Sequence, residues 1–277
     1  MRNQLRHFKK SVKKSGFVVG AVQTARAGAL DLKQFYWRTI RGGRIQNYLR
    51  ANSVRKLQLG SSFTPLDGWL NTDLIPEVPG VVYLDATRRF PFDDGTFDYI
   101  ASEHMIEHID YDSGQAMLRE AFRVLNPGGG IRIATPDLRV LLGLSASEKT
   151  PVESKYIEWI VSKLFPEVAD CQATFVINNA FRCWGHQFLY DAETLKAALA
   201  RCGFASFLHH KPGESHDTHL RGIESHGRHM GSEDINQFET LVIEARVPAQ
   251  KTQKIGRAAE QLKAGNDRLS TAALAVQ

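Results

Sequence analysis

Two short stretches carry most of the reactive side chains of this 277-residue chain. His104-Met-Ile-Glu107-His108 puts two imidazoles and a carboxylate within five positions, and Gly185-His186-Gln-Phe188 adds a third imidazole. An imidazole with an ordinary pKa of about 6.5 exchanges a proton near neutral pH, and its neutral form ligates metals. As a bare pattern, His-x-x-Glu-His is the inverted zinc-peptidase motif, two histidines at i and i+4 flanking a carboxylate. That chemistry needs a long helix and a third ligand downstream, whereas this stretch directly follows a strand-like run, Phe97-Asp-Tyr-Ile100. General base and substrate positioning, metal ligation, and helix capping under a lid remain as uses of the four residues.

The surrounding texture is that of an α/β domain. Arg55-Lys-Leu-Gln-Leu-Gly60 reads as a strand ending at a glycine. Trp69-Leu-Asn-Thr-Asp73, Val81-Val-Tyr-Leu-Asp85 and Phe97 to Ile100 read as three more, and Ile131-Arg-Ile133 as a fifth. A helix over about 113–125 shows one apolar face (Met117, Leu118, Ala121, Phe122, Leu125), and Asn126-Pro-Gly-Gly129 ends it. Asp191 is a good N-cap for a helix that ends at Gly203, and strands near 205–209 and 239–245 complete the sheet. Residues 31–50 read as two helices broken at Gly42-Gly43, and 141–185 as an inserted helical lid.

Strands that end in a glycine turn and then in acids suit a nucleoside-binding sheet, whose ligands sit beyond the carboxyl ends of the strands. Gly60 lets backbone approach a ligand, Asp73 is placed to accept from ribose hydroxyls, and Asp85 to accept from an adenine amino group. A strand-terminal Asp taken singly is more often a turn or helix cap.

The ordered series Leu57-Gln-Leu-Gly-Ser-Ser62, Gly68-Trp-Leu-Asn-Thr-Asp73, Leu84-Asp-Ala86 and Phe90-Pro-Phe-Asp-Asp-Gly-Thr-Phe-Asp98 makes a resemblance specific. Glu107-His108, Arg123-Val-Leu-Asn-Pro-Gly-Gly129 and Thr135-Pro-Asp137 extend it. Over Arg55 to Ala245 the chain resembles class I S-adenosylmethionine-dependent methyltransferases of the type 11 kind, in a bacterial subgroup associated with surface polysaccharide biosynthesis. The resemblance implies a Rossmann-like, mostly parallel sheet with a C-terminal antiparallel strand. It places Gly60 and Ser62 under the methionine part of the cofactor, Asp73 at the ribose, Asp85 and Ala86 around the adenine, and Ser102 to His104 facing the sulfonium. Where the family usually has Gly-x-Gly, this chain has Gly60-Ser61-Ser62, which adds a side chain where backbone and cofactor meet. Glu224 and His226 match a recurring feature of the subgroup, within a histidine-rich loop (His209, His210, His216, His219, His226, His229) expected to lie over the site.

His104, Glu107, His108 and His186 also resemble the metal set of small-RNA 2′-O-methyltransferases, with His104 replacing a carboxylate; this shift toward nitrogen favours a softer divalent metal. Without metal, His104 is the first-choice base and His186 the second. The implied reaction is O- or N-methylation of a small polar acceptor, a sugar hydroxyl in a polysaccharide or glycolipid precursor. The competing expectation is an inactive methyltransferase-like scaffold.

Charge is unevenly spread. Residues 1–50 hold twelve Lys/Arg and one acid, and 248–277 are net +3, so of the overall +5 the body at 51–247 carries −9. Three helical-spaced apolar residues (Leu5, Phe8, Val12) among six basic ones make 1–16 either a lipid-attracted surface helix or a solvated arm. The acidic body argues against a nucleic-acid partner. The longest apolar run near the N-terminus, Phe17 to Val22, is too short to cross a bilayer, and three cysteines without framework spacing suit a reducing cytoplasm. The expected division is a basic helical arm at 1–50, a domain at 51–247 and a flexible or weakly helical tail at 248–277.

Overall fold

The computed structural model describes residues 16–249, with side chains from residue 32. The sequence opens into α1 (Gly16–Ala51), followed by β1 (Lys56–Leu59), β2 (Leu70–Asp73), β3 (Val82–Tyr83) and β4 (Phe97–Glu103). After a 3-10 turn at Ile106–His108 come α2 (Tyr111–Val124) and the long β5 (Leu125–Pro136). Helices α3 (Leu138–Gly143), α4 (Pro151–Leu164), α5 (Ala173–Arg182) and α6 (Ala192–Arg201) precede β6 (Ala205–His210). Short α7 (His226–Met230) and α8 (Glu233–Glu239) lead into β7 (Thr240–Arg246). The seven strands lie in the order β3-β2-β1-β4-β5-β7-β6. All pairs from β3 to β5 are parallel, and β7 runs antiparallel to both neighbours. The α/β, Rossmann-like sheet with an antiparallel C-terminal strand is as expected.

Local chemistry explains the element ends. Asp110 caps α2 through Ser113 N–H, Thr150 and Glu153 form a reciprocal capping box on α4, and Asp191 caps α6 through Thr194 N–H. The core is continuous across the sheet: Leu57, Leu59, Phe97, Ile100, Ile131 and Ile133 are fully buried against Met117, Leu118, Leu195 and Leu199. A second cluster, including Leu141, Tyr156, Ile160 and Val176, holds the helices between β5 and β6.

One feature differs from expectation. Residues 31–50 belong to one helix that passes through Gly42-Gly43 rather than two. The ordinary cost of glycine in a helix, about 1 kcal/mol each, is met by packing further along. Ile45 enters the core, the Tyr48 hydroxyl accepts the Lys56 N–H (2.8 Å), and Arg44 donates to the Val81 carbonyl (3.1 Å). Trp37 stacks on Tyr83 of the edge strand β3. The link from β1 to β2 contains no helix, as the short spacing from Gly60 to Asp73 requires, although parallel neighbours usually need one to cross over. The basic surface helix expected in 1–16 and the tail fall almost wholly outside the described residues. No helix among the described residues is long and apolar enough to cross a membrane.

Candidate active site

A cavity of about 560 Å³ opens at the carboxyl ends of β1 and β4 and under the helices that follow β5. Gly60, Ser62, His104, Glu107, His108 and His186 all line it. Its remaining walls include Phe63, Tyr156, Trp159, Trp184, Glu103, His226 and Glu239. One cavity therefore gathers the glycine turn and both reactive stretches, which lie far apart in the chain.

The glycine turn adopts the left-handed backbone at both expected places, φ +70° at Gly60 and +45° at Ser62. A Cβ on Gly60 would lie 2.8 Å from Met105 Cβ, so the bare glycine admits the Met105 side chain. Ser62 thus occupies a glycine-type conformation, at a strain of about 1 kcal/mol, and its N–H is anchored on the Asp73 carboxylate at 2.9 Å. The other Asp73 oxygen accepts Ile75 N–H at 2.9 Å. Asp73 adjoins the cavity through Ser62 without lining it.

Asp85 and Ala86 also lie outside the cavity wall. The Asp85 carboxylate accepts from the Thr87 N–H and hydroxyl and from Arg88 (2.9 Å), so the structure shows it capping its own turn. Ser102 does not face the cavity either. It sits inside β4, 2% exposed, because that strand continues one residue further, to Glu103. Glu224, read as an acceptor contact, is instead paired with Arg132 inside the fold; His226 of the same segment does line the cavity.

His104 follows β4 with φ +45°, a strained value for a side-chain-bearing residue. Its two nitrogens are both engaged. Nδ1 is 3.3 Å from Glu107 Oε1, and Nε2 is 3.3 Å from the Thr240 hydroxyl. Burial opposes a charge on His104, but its pairing with Glu107, with Glu239 and Glu103 nearby, outweighs burial and raises its pKa. Burial likewise opposes ionisation of Glu107, and His104 overrides it, so that carboxyl titrates below its usual range. The two form an imidazolium–carboxylate pair.

The pair has a pH signature. A raised His104 pKa stabilises the fold fully below the unfolded value and ceases to do so as pH rises through the folded one. A lowered Glu107 pKa stabilises above the unfolded value and stops as pH falls through the folded one. Together they contribute most between about pH 4.5 and 6.5. The urea midpoint is expected to fall above that window in the unmodified protein, and a Glu107→Gln variant is expected to lose that slope.

His186 is differently placed. The Glu107 carbonyl accepts Gln187 N–H (2.7 Å) and Phe188 N–H (3.3 Å), and Gln187 Nε2 donates to the His108 carbonyl (2.7 Å). These bonds fix residues 185–188 against the 3-10 turn, with the His186 and His108 rings 4.9 Å apart, edge to face. His186 Nδ1 lies 2.8 Å from the Ala180 carbonyl, which only accepts, so Nδ1 carries the proton and Nε2 keeps its lone pair. Burial lowers the His186 pKa; Glu107 opposes the shift without reversing it. Ligand atoms of Glu107, His108 and His186 all fall within 4.8 Å of one another. His104 is not part of that cluster.

His226 and Glu103, both expected at the site, complete the wall together with Tyr156 and Glu239, which sequence reasoning missed. His226 stacks on His104 at 3.7 Å, its Nε2 is 3.4 Å from Glu239, and Tyr156 donates to Glu239 at 2.6 Å. Glu103 accepts the N–H groups of Ser225 and His226 (both 2.8 Å) and so holds the start of α7 in place. The one available signal was topological: an antiparallel return strand brings its first residues, Glu239 and Thr240, to the carboxyl edge of β5.

Residues 68–133 match a family model described as a methyltransferase domain. The match covers Asp73, Asp85 and the His104–His108 stretch and begins after the glycine turn. No curated protein sequence matches the chain. Among solved structures, the chain is similar to an S-adenosylmethionine-dependent methyltransferase from Mesorhizobium loti, with 16% identity over 72% of this chain and 95% of that one, TM-score 0.42. One from Archaeoglobus fulgidus shares 16% identity over 78% and 94%, TM-score 0.41. A Haemonchus contortus phosphoethanolamine N-methyltransferase, solved with phosphomonomethylethanolamine and S-adenosylhomocysteine, shares 16% over 71% and 49%, TM-score 0.36. Likenesses at these scores say nothing of this chain's acceptor. Over that segment the chain is similar to a methyltransferase domain.

Proposed function

We propose that the protein transfers a methyl group from S-adenosylmethionine to a hydroxyl of a small polar acceptor, a sugar in a polysaccharide or glycolipid precursor. The observation that carries this reading is the cavity itself: within and beside a methyltransferase-type segment, it joins the glycine turn to a cluster of proton-accepting side chains. Ser62 and the Asp73 carboxylate would hold the cofactor's methionine and ribose parts. In the transfer, the acceptor oxygen attacks the methyl carbon, the carbon–sulfur bond breaks with its electron pair going to sulfur, and the acceptor proton leaves to a base.

His186 suits that base better than His104. Its Nε2 is free, and its lowered pKa keeps it neutral. His104, with both nitrogens occupied and a raised pKa, is assigned to positioning Glu107. Methyl transfer from labelled cofactor to a panel of neutral glycosides tests the acceptor class. Label on an ether oxygen is the expected product, and label found only on nitrogen would overturn the hydroxyl assignment.

A second reading of the same cluster is favoured by one observation. Glu107, His108 and His186 converge, and a backbone carbonyl orients His186 as it would a metal-ligating histidine. These three residues would suit a divalent transition metal. Such a metal, when bound, would acidify the hydroxyl; without it, His186 removes the proton. Cobalt(II) titration is expected to give a visible ligand-field spectrum that is lost in His108→Ala. Full activity after chelation would remove the metal and leave His186 as base.

We further place the enzyme inside the cell, with the basic arm at 1–16 drawn to the anionic inner face of the membrane. The arm's charge supports this, and unchanged liposome binding on its removal would end the membrane contact.

A further inference from the structure

The cavity wall is sharply one-sided in charge. Among the described residues that line it are three carboxylates, Glu103, Glu107 and Glu239, five histidines, His104, His108, His186, His226 and His229, and no lysine or arginine, so above the ordinary histidine range its fixed charge is negative. Neutral donors satisfy two of the three carboxylates. Glu103 takes backbone N–H groups and the Ser225 hydroxyl. Glu239 takes the Tyr156 hydroxyl and faces His226. Glu107 lies 3.3 Å from the His104 imidazole. Lys163 rests on the Trp159 ring at 3.9 Å and donates to the Met230 carbonyl without lining the cavity. Arg228 lines a separate cleft that shares Phe63, Thr64, Ser225 and His229 with this one. The remaining walls present aromatic faces, Tyr156, Trp159 and Trp184.

An anionic acceptor group, without the ammonium and sulfonium that accompany the cofactor's own carboxylate, would meet uncompensated negative charge above the ordinary histidine range, a cost that rises in a partly enclosed, low-dielectric cleft. An uncharged polyol or an ammonium meets acceptor oxygens and ring faces, both of which suit it.

We propose that the cavity admits an uncharged or cationic acceptor moiety and excludes a phosphorylated or carboxylated one. Any phosphate of the whole substrate then lies outside the cavity, on the Arg228 side. The selection refines the acceptor named above and rests on that reading for its biological meaning, but the potential that causes it is measurable without cofactor.

Trp184, 51% exposed on the wall, is the reporter. Its emission is isolated as the difference between the protein and Trp184→Phe, at a pH above the ordinary histidine range. Caesium is expected to quench that emission about threefold better than iodide, relative to free tryptophan amide, for a local potential of about half a thermal unit, which enriches the cation and depletes the anion together. Glu103→Gln with Glu239→Gln is expected to bring the ratio toward one. If that double variant does not fold, the ratio in the unmodified wall still decides. Iodide quenching that equals or exceeds caesium's overturns the proposal, as does glucose 6-phosphate protecting Trp184 more strongly than glucose. Failure to bind S-adenosylmethionine, read separately by calorimetry, would instead undo the methyltransferase reading and leave these outcomes standing.

Discussion

Replacing Arg132 with methionine is expected to lower unfolding stability by about 3–5 kcal/mol, the largest structural effect of any substitution considered. Arg132 lies in mid-β5, opposite Ala101 on one side and Glu244 on the other, and only 1% of it is exposed. Its guanidinium pairs with Glu224 and Glu244 and donates to the Glu214 carbonyl at 2.8 Å. Glu224 in turn accepts the Gly213 N–H at 2.8 Å, so one cation ties the segment at 211–225 to the sheet. Methionine fills much of the space but leaves buried Glu224 without a counter-charge and Glu244 with only the His210 imidazole, 3.4 Å away. Arg139, largely exposed and 3.2 Å from Asp191, is the control: an exposed pair contributes at most about 1 kcal/mol. Urea unfolding of both variants measures the difference. Equal midpoints would show that the Arg132 cluster does not hold the fold. Because Ser225 and His226 continue from that segment into the cavity wall, the same variant is expected to weaken their bonds to Glu103 and so loosen the site.

His186→Ala is expected to lower kcat by about 10²–10⁴-fold, the usual contribution of a positioned general base, while cofactor affinity stays within the range of the unmodified protein. The free Nε2 and the burial-lowered pKa give the expectation a second readout. In the intact enzyme kcat/KM should hold level down to below about pH 6.5 and fall as the imidazole becomes protonated. In the alanine variant that acid limb should disappear. His104→Ala should act differently, because His104 holds Glu107 and Thr240: lost rate would come with lost stability in the pH window given for the pair. If His104→Ala removed the acid limb and His186→Ala kept it, the two roles would have to be exchanged.

The sheet was readable from residue order because each strand ends in a residue with a distinct job. Gly60 turns with a positive φ, and Asp73 and Asp85 close their strands with cap bonds. The helix cap Asp191 was equally local. What could not be read locally depended on packing between distant segments. Gly42-Gly43 looks like a break until Ile45 and Tyr48 are seen docking on the domain. Glu224 looks like a site residue until Arg132, 92 positions away, takes its charge. His104 looks like the best base until the start of β7 brings Thr240 to its second nitrogen. The serine at 62, which departs from the glycine pattern, proves to keep the glycine-type backbone at a modest strain, anchored by Asp73. The aromatic wall of Tyr156, Trp159 and Trp184 was hidden because it comes from helices read only as a lid.

Calorimetric titration with S-adenosylmethionine tests the central claim most directly. One saturable site per chain is expected, with thermal stabilisation that grows with cofactor concentration and affinity lost in Asp73→Ala. No heat and no stabilisation at millimolar cofactor would contradict the methyltransferase reading and leave a methyltransferase-like scaffold.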